Sequence, residues 1–399
     1  MRVALLTLLC GALVTALTGE DALEKWGGPR GGGKVSHGGN NIGNGDGGGI
    51  TINTGGGDIG DIGVGVGGGG CDPAALGDFN RDNYLDIVAT NINDGTVSVL
   101  LKTGSGSFQQ NIFSVGSEPR GVAVGNFNGD SYLDIVTANQ LSNTVSVLLG
   151  TGAGGFQQTT FTVGTGPFGV AVGDFNGDTY LDIVTANSGD GTVSVLLGTG
   201  SGTFQLQPQF PVGFGPRGVA VGDFNGDTYL DIVVTNLNDN TVSVLLGNGL
   251  GSFQLQPQIP VGSGPFGVAV GDFNGDTYLD IVTANSGDGT VSVLLGTGSG
   301  SFQLQPQLSV GVGPRGVAVG DFNGDTYLDI VVTNLNDNTV SVLLGTGLGS
   351  FKPQAIFSVG SGPRGVAVGD FNGDSHLDIV AANLDDNTVS VLLGKPCGA

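Results

Sequence analysis

The feature of this sequence that most constrains its fold is a unit of 48 or 49 residues that occurs seven times. Each unit contains a close copy of the segment VAVGDFNGDTYLDIV, in which acidic residues lie four apart between apolar stretches. Self-similarity at such a period is typical of a repeat architecture, in which each unit buries its apolar faces against its neighbours. The seven acidic segments begin at Asp78, Asn126, Asp174, Asp223, Asp272, Asp321 and Asp370.

Each unit has the pattern of four short antiparallel strands. In the fourth copy the strand-like stretches are residues 218–224, 229–236, 241–247 and 253–262, separated by Asn, Asp and Gly turns. The first two stretches are apolar on both faces, so each must be covered from two sides. The fourth contains Pro257 and several glutamines, which suit an exposed edge. These units predict an all-β chain that forms a seven-bladed β-propeller, with an open or helical β-solenoid as the alternative.

The composition agrees with an all-β fold and excludes some classes of partner. Glycine is abundant, with 79 residues, whereas lysine and arginine together number 12, which is too few for the charged surface of a helical protein. The net charge of −23 argues against nucleic acid or an anionic membrane surface as the partner.

The chain begins with the features of a secretory signal peptide. One arginine precedes an apolar run with small residues near its end, which predicts a signal over residues 1–18. The run is short for spanning a bilayer, although a membrane anchor is the alternative. Residues 19–59 are rich in Gly and Asn and predict a flexible segment. We therefore expect a protein that is secreted or held at the cell surface, with no membrane span after cleavage.

The seventh unit ends after three strands, which raises the question of how the ring closes. Counting back along the repeat from the first acidic segment leads to residues 60–67, where apolar residues alternate with glycine. We expect this segment to complete the last blade, so that the propeller comprises residues 60–397.

Two cysteines remain once the signal peptide has been removed. Cys71 and Cys397 would meet where the ring closes, and an exported compartment permits a disulfide between them. In the chain-entropy model, closing so long a loop contributes about 5–6 kcal/mol at most. The alternative is a pair of free thiols.

The acidic segments have the spacing of calcium ligands. Side-chain oxygens occur at positions 1, 3, 5 and 9, position 7 can offer its backbone carbonyl, and Ca²⁺ accepts six to eight such oxygens. An EF-hand is excluded because it requires helical flanks and a glutamate at position 12. The predicted metal residues are Asp78, Asn80, Asp82, Tyr84, Asp86; Asn126, Asn128, Asp130, Tyr132, Asp134; Asp174, Asn176, Asp178, Tyr180, Asp182; Asp223, Asn225, Asp227, Tyr229, Asp231; Asp272, Asn274, Asp276, Tyr278, Asp280; Asp321, Asn323, Asp325, Tyr327, Asp329; and Asp370, Asn372, Asp374, His376, Asp378.

Most of the net charge of the protein lies in these segments. They contain 20 of the 35 acidic residues, and carboxylates crowded into one turn repel one another unless a cation lies between them. The sequence therefore predicts up to seven Ca²⁺ ions, of which the one at Asn126 is held most weakly. The alternative is a set of Asx turns that only cap hairpins.

The same residues carry a family resemblance. The stretches GPFGVAVGDFNGDTYLDIVTAN and TVSVLLGTGSGSFQ resemble the FG-GAP (VCBS-type) repeat that builds the propeller of the integrin α-chain head, and the resemblance covers about residues 72–396. It implies a seven-bladed propeller whose loop oxygens bind calcium. Three residues depart from the pattern: Arg81 in the first segment, Asn126 in the second and His376 in the seventh.

The sequence predicts a binding protein rather than an enzyme, because no nucleophile elbow, phosphate loop or HExxH motif is present. In a propeller the turns that lead into each first strand, here called the lead-in turns, lie on the face opposite the acidic segments. They carry four arginines and two phenylalanines, which suit anion recognition and stacking. The predicted ligand residues are Arg120, Phe168, Arg217, Phe266, Arg315 and Arg364.

Three functions are compatible with such a face. By resemblance, integrin heads bind protein ligands there, whereas a mushroom lectin built on similar repeats binds sugars. We expect an extracellular interaction or adhesion module, with a calcium-dependent lectin as the alternative and a polysaccharide-degrading enzyme as the least favoured function. The arginines could instead pair locally with aspartates of neighbouring turns, namely Asp239, Asp337 and Asp385.

Overall fold

The protein consists of seven antiparallel sheets. The computed structural model describes residues 3–8, 14–19, 74–103 and 107–394, and these contain β-strands but no helix. Accordingly, the described part of the chain has no apolar helix of membrane-spanning length. The first three blades contain β3 (Ala74–Gly77), β4 (Asp86–Asn91), β5 (Thr96–Lys102), β6 (Phe108–Ser114); β7 (Pro119–Gly125), β8 (Asp134–Asn139), β9 (Thr144–Gly150), β10 (Phe156–Thr162); and β11 (Pro167–Gly173), β12 (Asp182–Asn187), β13 (Thr192–Gly198), β14 (Phe204–Leu206), β15 (Phe210–Pro211).

The remaining strands follow the same order. The fourth and fifth blades contain β16 (Pro216–Gly222), β17 (Asp231–Asn236), β18 (Thr241–Gly247), β19 (Phe253–Leu255), β20 (Ile259–Pro260); and β21 (Pro265–Gly271), β22 (Asp280–Asn285), β23 (Thr290–Gly296), β24 (Phe302–Leu304), β25 (Leu308–Ser309). The last two contain β26 (Pro314–Gly320), β27 (Asp329–Asn334), β28 (Thr339–Leu343), β29 (Ala355–Ser358); and β30 (Pro363–Gly369), β31 (Asp378–Asn383), β32 (Thr388–Leu392), together with β1 (Val3–Leu8) and β2 (Val14–Gly19).

The predicted all-β, seven-bladed propeller is confirmed. Within each blade the strands pair in chain order as a meander. The first strands of neighbouring blades contact one another around the ring, and β3 contacts both β7 and β30, which closes it. In the fourth copy the observed strands lie within about two residues of the predicted ones, except that the fourth strand is divided into β19 and β20. The division falls at Pro257, which has no N–H to donate to β18.

The free edge of the last blade is paired with a strand from the beginning of the chain. β1 is antiparallel to β32, with Val3 opposite Leu392 and Ala4 opposite Val391, and β2 lies beyond it. This edge is the place that the sequence predicts for residues 60–67. That segment, Cys71 and Cys397 lie outside the described residues, so the closing strand and the disulfide stay predictions. The signal peptide over residues 1–18 is also untested and stays a prediction, although β1 and most of β2 fall within it.

The apolar core lies between blades rather than within them. Seven of the eight apolar clusters among the described residues lie between blades, one in each interface between neighbours. In the interface between the fourth and fifth blades, Phe224 is buried and its ring lies edge-on to that of Phe302, with centroids 5.7 Å apart. Close approach requires glycine at the end of the first strand, because a Cβ on Gly222 would lie 2.5 Å from Leu279 Cδ1 of the next blade.

Truncation of the buried ring tests this account of the core. We expect Phe224→Ala to lower the free energy of unfolding by about 3–5 kcal/mol, because it removes apolar contacts and leaves a cavity between two blades. The matched control is Phe214→Ala, since Phe214 is 73% exposed and its loss should change stability by less than about 0.5 kcal/mol. Denaturant titration measures both values, and equal effects of the two substitutions would contradict the packing described.

Candidate functional site

Each acidic segment forms a tight loop between the first and second strands of its blade. In the fourth blade, Asp223 Oδ1 accepts the N–H of Gly226 at 2.7 Å and its Oδ2 accepts that of Thr228 at 2.8 Å. Both donors have positive φ, +76° at Gly226 and +73° at Thr228, which is costly for a β-branched residue. Six loops have glycine at position 4, where φ is positive, and Arg81 of the first loop adopts the same region with φ of 62°.

The aspartate at position 9 has a different environment from the other acidic residues of the loop. Asp231 is fully buried, and its Oδ2 accepts the N–H of Phe224 at 2.8 Å while its Oδ1 accepts that of Gly247 at 2.7 Å. One carboxylate therefore ties the end of β16 and the end of β18 to the start of β17. The same pair of hydrogen bonds occurs in all seven blades.

Burial without a counter-charge perturbs the ionisation of these aspartates. The pKa is raised to about 6 at Asp231 and to about 7 at Asp329. Desolvation is the largest cause and the neighbouring loop carboxylates act in the same direction, whereas the two backbone donors lower the pKa. The pKa is raised to about 6 or 7 at position 9 of the other five loops as well. The chain's own groups therefore leave the negative charge only partly compensated.

The donor set suits a hard cation. Asn225 Oδ1 and Asp227 Oδ1 are carbonyl and carboxylate oxygens within one exposed turn, and each accepts one backbone N–H at 2.9 Å. Such oxygens have a second lone pair with which to bind a metal. Within the described ranges no three acidic or histidine side chains converge on one point.

The two phenylalanines of the opposite face contact each other. Phe168 of the third blade and Phe266 of the fifth are buried, with ring centroids 5.4 Å apart and an interplanar angle of 85°. Their contact passes over the fourth blade, so both rings point towards the axis of the propeller. They form an apolar plug against Leu237 and do not offer their faces to solvent.

Three of the predicted arginines stack on this plug. The guanidinium carbon of Arg217 lies 4.3 Å from the ring centroid of Phe168 and 5.8 Å from that of Phe266. Arg315 lies 4.1 Å from the ring centroid of Phe266, and Arg120 lies 5.3 Å from that of Phe168. Cation–π contacts of this kind contribute about 0.5–2 kcal/mol each, more where water is excluded.

The fourth arginine lies in the remaining sector of the ring. Burial lowers the pKa of Arg364, the charge of Arg120 lowers it further, and Asp385 acts in the opposite direction. Arg120 itself is paired, since its Nη2 lies 2.8 Å from Glu118 Oε2 and its Nε donates to Gln140 Oε1 at 2.7 Å. Glu118 has φ of 51°, whereas five other copies have glycine at this position, so the chain accepts backbone strain that places a carboxylate beside Arg120.

The neighbouring turn aspartates cap backbone groups. Asp239 Oδ2 accepts the N–H of Phe214 at 2.7 Å, and Asp337 Oδ2 accepts that of Val312 at 2.7 Å.

The lead-in turns and the acidic loops lie on opposite faces of the ring, as predicted. Gly251, in the turn between the third and fourth strands of the fourth blade, donates to Phe175 O in the acidic loop of the third, at the end of the strands opposite the lead-in turns. We call the end with the arginines the arginine face and the end with the acidic loops the acidic face.

Exposed apolar residues of the arginine face were not predicted from the sequence. Leu141, Phe214 and Val312 lie in its turns with most of their side-chain surface in solvent. Phe214 was detectable in principle, because it interrupts the otherwise small residues of the lead-in turns.

A cavity of about 260 Å³ opens between the seventh and first blades near the arginine face. Its lining residues are mostly polar and include Asp94, Gln110, Arg364 and Asn383, together with apolar residues of both blades such as Leu100 and Val389. Arg364 Nε and Asn383 Oδ1 are buried with no hydrogen-bond partner among the described residues. Both atoms are themselves inaccessible to solvent, although their residues line the cavity.

Seven blades of tandem acidic-loop repeats define the class of the protein as a repeat-built β-propeller. The FG-GAP-like repeat model matches overlapping segments from 78 to 381, so the chain belongs to this family. The six matches cover residues 78–137, 126–185, 174–234, 223–283, 272–332 and 321–381. No curated protein sequence gives a significant match to the chain.

Solved structures share the fold at low sequence identity. BBS1N, crystallised in complex with ARL6DN, is 13% identical and superposes with a TM-score of 0.61 over 83% of this chain and 94% of its own. A functionally unknown protein from Desulfotomaculum acetoxidans is 14% identical, with a TM-score of 0.60 over 78% and 95%. The periplasmic gluconolactonase PpgL of Pseudomonas aeruginosa is 17% identical, with a TM-score of 0.54 over 73% and 86%. At these identities the similarity establishes the fold alone.

The position-9 aspartate should stabilise the blade even without metal. We expect Asp231→Ala to lower the free energy of unfolding by about 2–4 kcal/mol in chelator, because two buried N–H groups lose their acceptor. The matched control is Asp227→Ala, which removes an exposed carboxylate and should change stability in chelator by less than about 1 kcal/mol. Denaturant titration in EDTA measures both, and a loss for Asp231→Ala that appears only with calcium would show that position 9 acts solely as a metal ligand.

Proposed function

We propose that the protein is a calcium-binding β-propeller that acts outside the cell as an interaction or adhesion module, with its ligand on the arginine face. The observation that carries this proposal is the contrast between the two ends of the ring. The acidic face repeats one oxygen-rich loop in every blade, whereas the arginine face differs from blade to blade and combines cations with exposed apolar side chains.

The calcium part of the proposal rests on the chemistry of the loops. They supply hard oxygen donors at the right spacing, and burial raises the pKa of the aspartate at position 9, with a further contribution from the neighbouring carboxylates. A bound cation would supply the missing positive charge and hold the exposed and buried parts of each loop together. Its role would be structural, as metal binding and folding are coupled.

Removal of calcium tests this part. At a dissociation constant near 0.1 mM and calcium near 1 mM, each site adds about 1.4 kcal/mol, so seven sites add roughly 10 kcal/mol. We expect EDTA to lower the melting temperature strongly and added Ca²⁺ to restore it. Calorimetry gives the shift, and equilibrium dialysis with ⁴⁵Ca gives the number of ions bound.

A single substitution provides the control for that experiment. Asn126→Asp gives the second loop the carboxylate that the other six have, and we expect it to tighten calcium binding at that site. An unchanged melting curve in EDTA, together with no bound ⁴⁵Ca, would exclude calcium and leave the loops as hairpin caps.

The interaction part of the proposal rests on the exposed apolar side chains that surround the arginines. Protein interfaces often combine apolar anchor residues with arginine.

Two structural neighbours are named as lactonases, but their similarity to this chain concerns the fold alone. The one histidine among the described residues is His376, which lies in an acidic loop, so we propose a binding function rather than catalysis. The amide-lined cavity favours a calcium-dependent lectin as the second candidate.

Capture of a partner tests which face binds. Immobilised, calcium-replete protein is exposed to surface extracts of the organism that makes it, and we expect Phe214→Ser with Val312→Ser to reduce the captured partner at least tenfold. The matched control is Leu250→Ser with Leu348→Ser, since these residues are 75% and 78% exposed in turns of the acidic face. Loss with the control pair instead would place the ligand on the acidic face, and competition by soluble sugars would indicate a lectin.

A further inference from the structure

We propose that Arg81 of the first acidic loop serves as the cation of the second, so that the second loop keeps its shape without calcium. This inference rests on the calcium part of the proposed function and lowers the expected number of bound ions from seven to six. Two departures from the repeat carry it. Among the seven acidic segments, Asn126 is the one residue other than Asp at position 1, and Arg81 is the one residue other than Gly at position 4.

The first departure removes a hydrogen bond from the second loop. In the fourth loop Asp223 Oδ2 accepts the N–H of Thr228, at position 6, and the same bond occurs in the other five loops that have Asp at position 1. Asn126 Oδ1 accepts the N–H of Gly129 at 2.8 Å, but its amide nitrogen is a donor and cannot accept a second N–H. Ser131, at position 6 of the second loop, therefore has no position-1 carboxylate for its N–H.

The second departure holds the same serine from the neighbouring blade. Arg81 Nη2 donates to the carbonyl oxygen of Ser131, and the guanidinium carbon lies 4.6 Å from the ring centroid of Tyr132. Tyr132 is partly buried, whereas its counterparts Tyr229 and Tyr278 are 45% and 44% exposed. One side chain of the first loop thus contacts positions 6 and 7 of the second.

The fold explains why a side chain at position 4 reaches the next acidic loop. A Cβ on Gly226 of the fourth loop would lie 3.7 Å from the carbonyl oxygen of Gly298, in the turn between the third and fourth strands of the fifth blade. That turn packs against Tyr278, at position 7 of the fifth loop, because a Cβ on Gly298 would lie 2.3 Å from the tyrosine ring. A long side chain at position 4 is therefore directed at position 7 of the next loop, and in the first loop that side chain is an arginine.

The charges agree with an exchange of metal for arginine. The second segment has two carboxylates, Asp130 and Asp134, where each of the others has three. A guanidinium bound to Ser131 places a permanent positive charge next to Asp130, which reduces the repulsion within the loop and opposes the entry of Ca²⁺. Arg81 itself has φ of 62°, so the chain accepts backbone strain at the position from which this side chain reaches the second loop.

Hydrogen exchange of the full chain, followed by mass spectrometry, tests the contact between Arg81 and the second loop. We expect EDTA to change the exchange rate of residues 128–132 by less than twofold. The third and fifth loops lie in identical sequences and are read together, and their exchange should become at least tenfold faster. Arg81→Gln should speed exchange of the second loop at least fivefold in EDTA, because Ser131 loses its partner. The matched control Lys352→Gln, which removes an exposed cation of the sixth blade, should leave that rate within twofold.

The number of bound ions tests the exchange of metal for arginine. Equilibrium dialysis with ⁴⁵Ca should give six ions for the wild-type protein and seven for Arg81→Gly with Asn126→Asp, which restores both residues of the repeat. Asn126→Asp alone should bind the seventh ion at least tenfold more weakly than the double variant, because the guanidinium stays on the loop.

The outcomes separate this inference from the proposed function. Seven ions in the wild-type protein, or an effect of EDTA on the second loop equal to that on the third and fifth, would overturn the inference and retain the calcium-binding propeller. Six ions together with unchanged exchange in Arg81→Gln would also overturn it, because Asn126 alone would then explain the missing ion. No bound ion in the wild-type protein and in the double variant would reject the calcium part of the proposed function and the inference with it.

Discussion

One buried aspartate in each blade determines how the strands of this propeller meet. Asp231 and its counterparts accept N–H groups from the first and third strands while lying at the start of the second. The carboxylate thus joins neighbouring strands at the end of the blade, as backbone hydrogen bonds join them along its length. Because it is buried, a cation bound in the exposed loop beside it, as we propose, would link the stability of the fold to the chemistry of that loop.

The interfaces between blades follow from the same segment. The residue after the loop's first position is a phenylalanine, and its backbone N–H is held by the buried aspartate while its ring enters the next interface. Glycine at the end of the first strand admits a leucine from the next blade to within van der Waals distance. The segment VAVGDFNGDTYLDIV therefore specifies the loop, the strand ends and the inter-blade packing together, which explains why a ring can be built by repeating it.

Periodicity and turn chemistry were sufficient to predict the seven blades, the strand order and the two faces. They were not sufficient for contacts that depend on the radius of the ring. Phe168 and Phe266 are separated by an entire blade in sequence, and only the assembled propeller shows that their rings touch. Likewise, the spacing of Asp231 is compatible with either a metal ligand or a hairpin clamp. Its two backbone partners, one of them Gly247, became apparent only once the three strands were placed together.

Function in such a ring is expected where the repeat is broken rather than where it is kept. The acidic loops are nearly the same in every blade, as their structural role requires. On the arginine face, by contrast, Glu118 accepts a strained backbone at a position that is glycine in five other copies, and Phe214 replaces a small residue. Glu118 forms an ion pair with Arg120, whereas Phe214 is 73% exposed and buries little apolar surface. Both departures lie at the end of the ring that carries Arg364, and we propose that they serve the ligand of the arginine face.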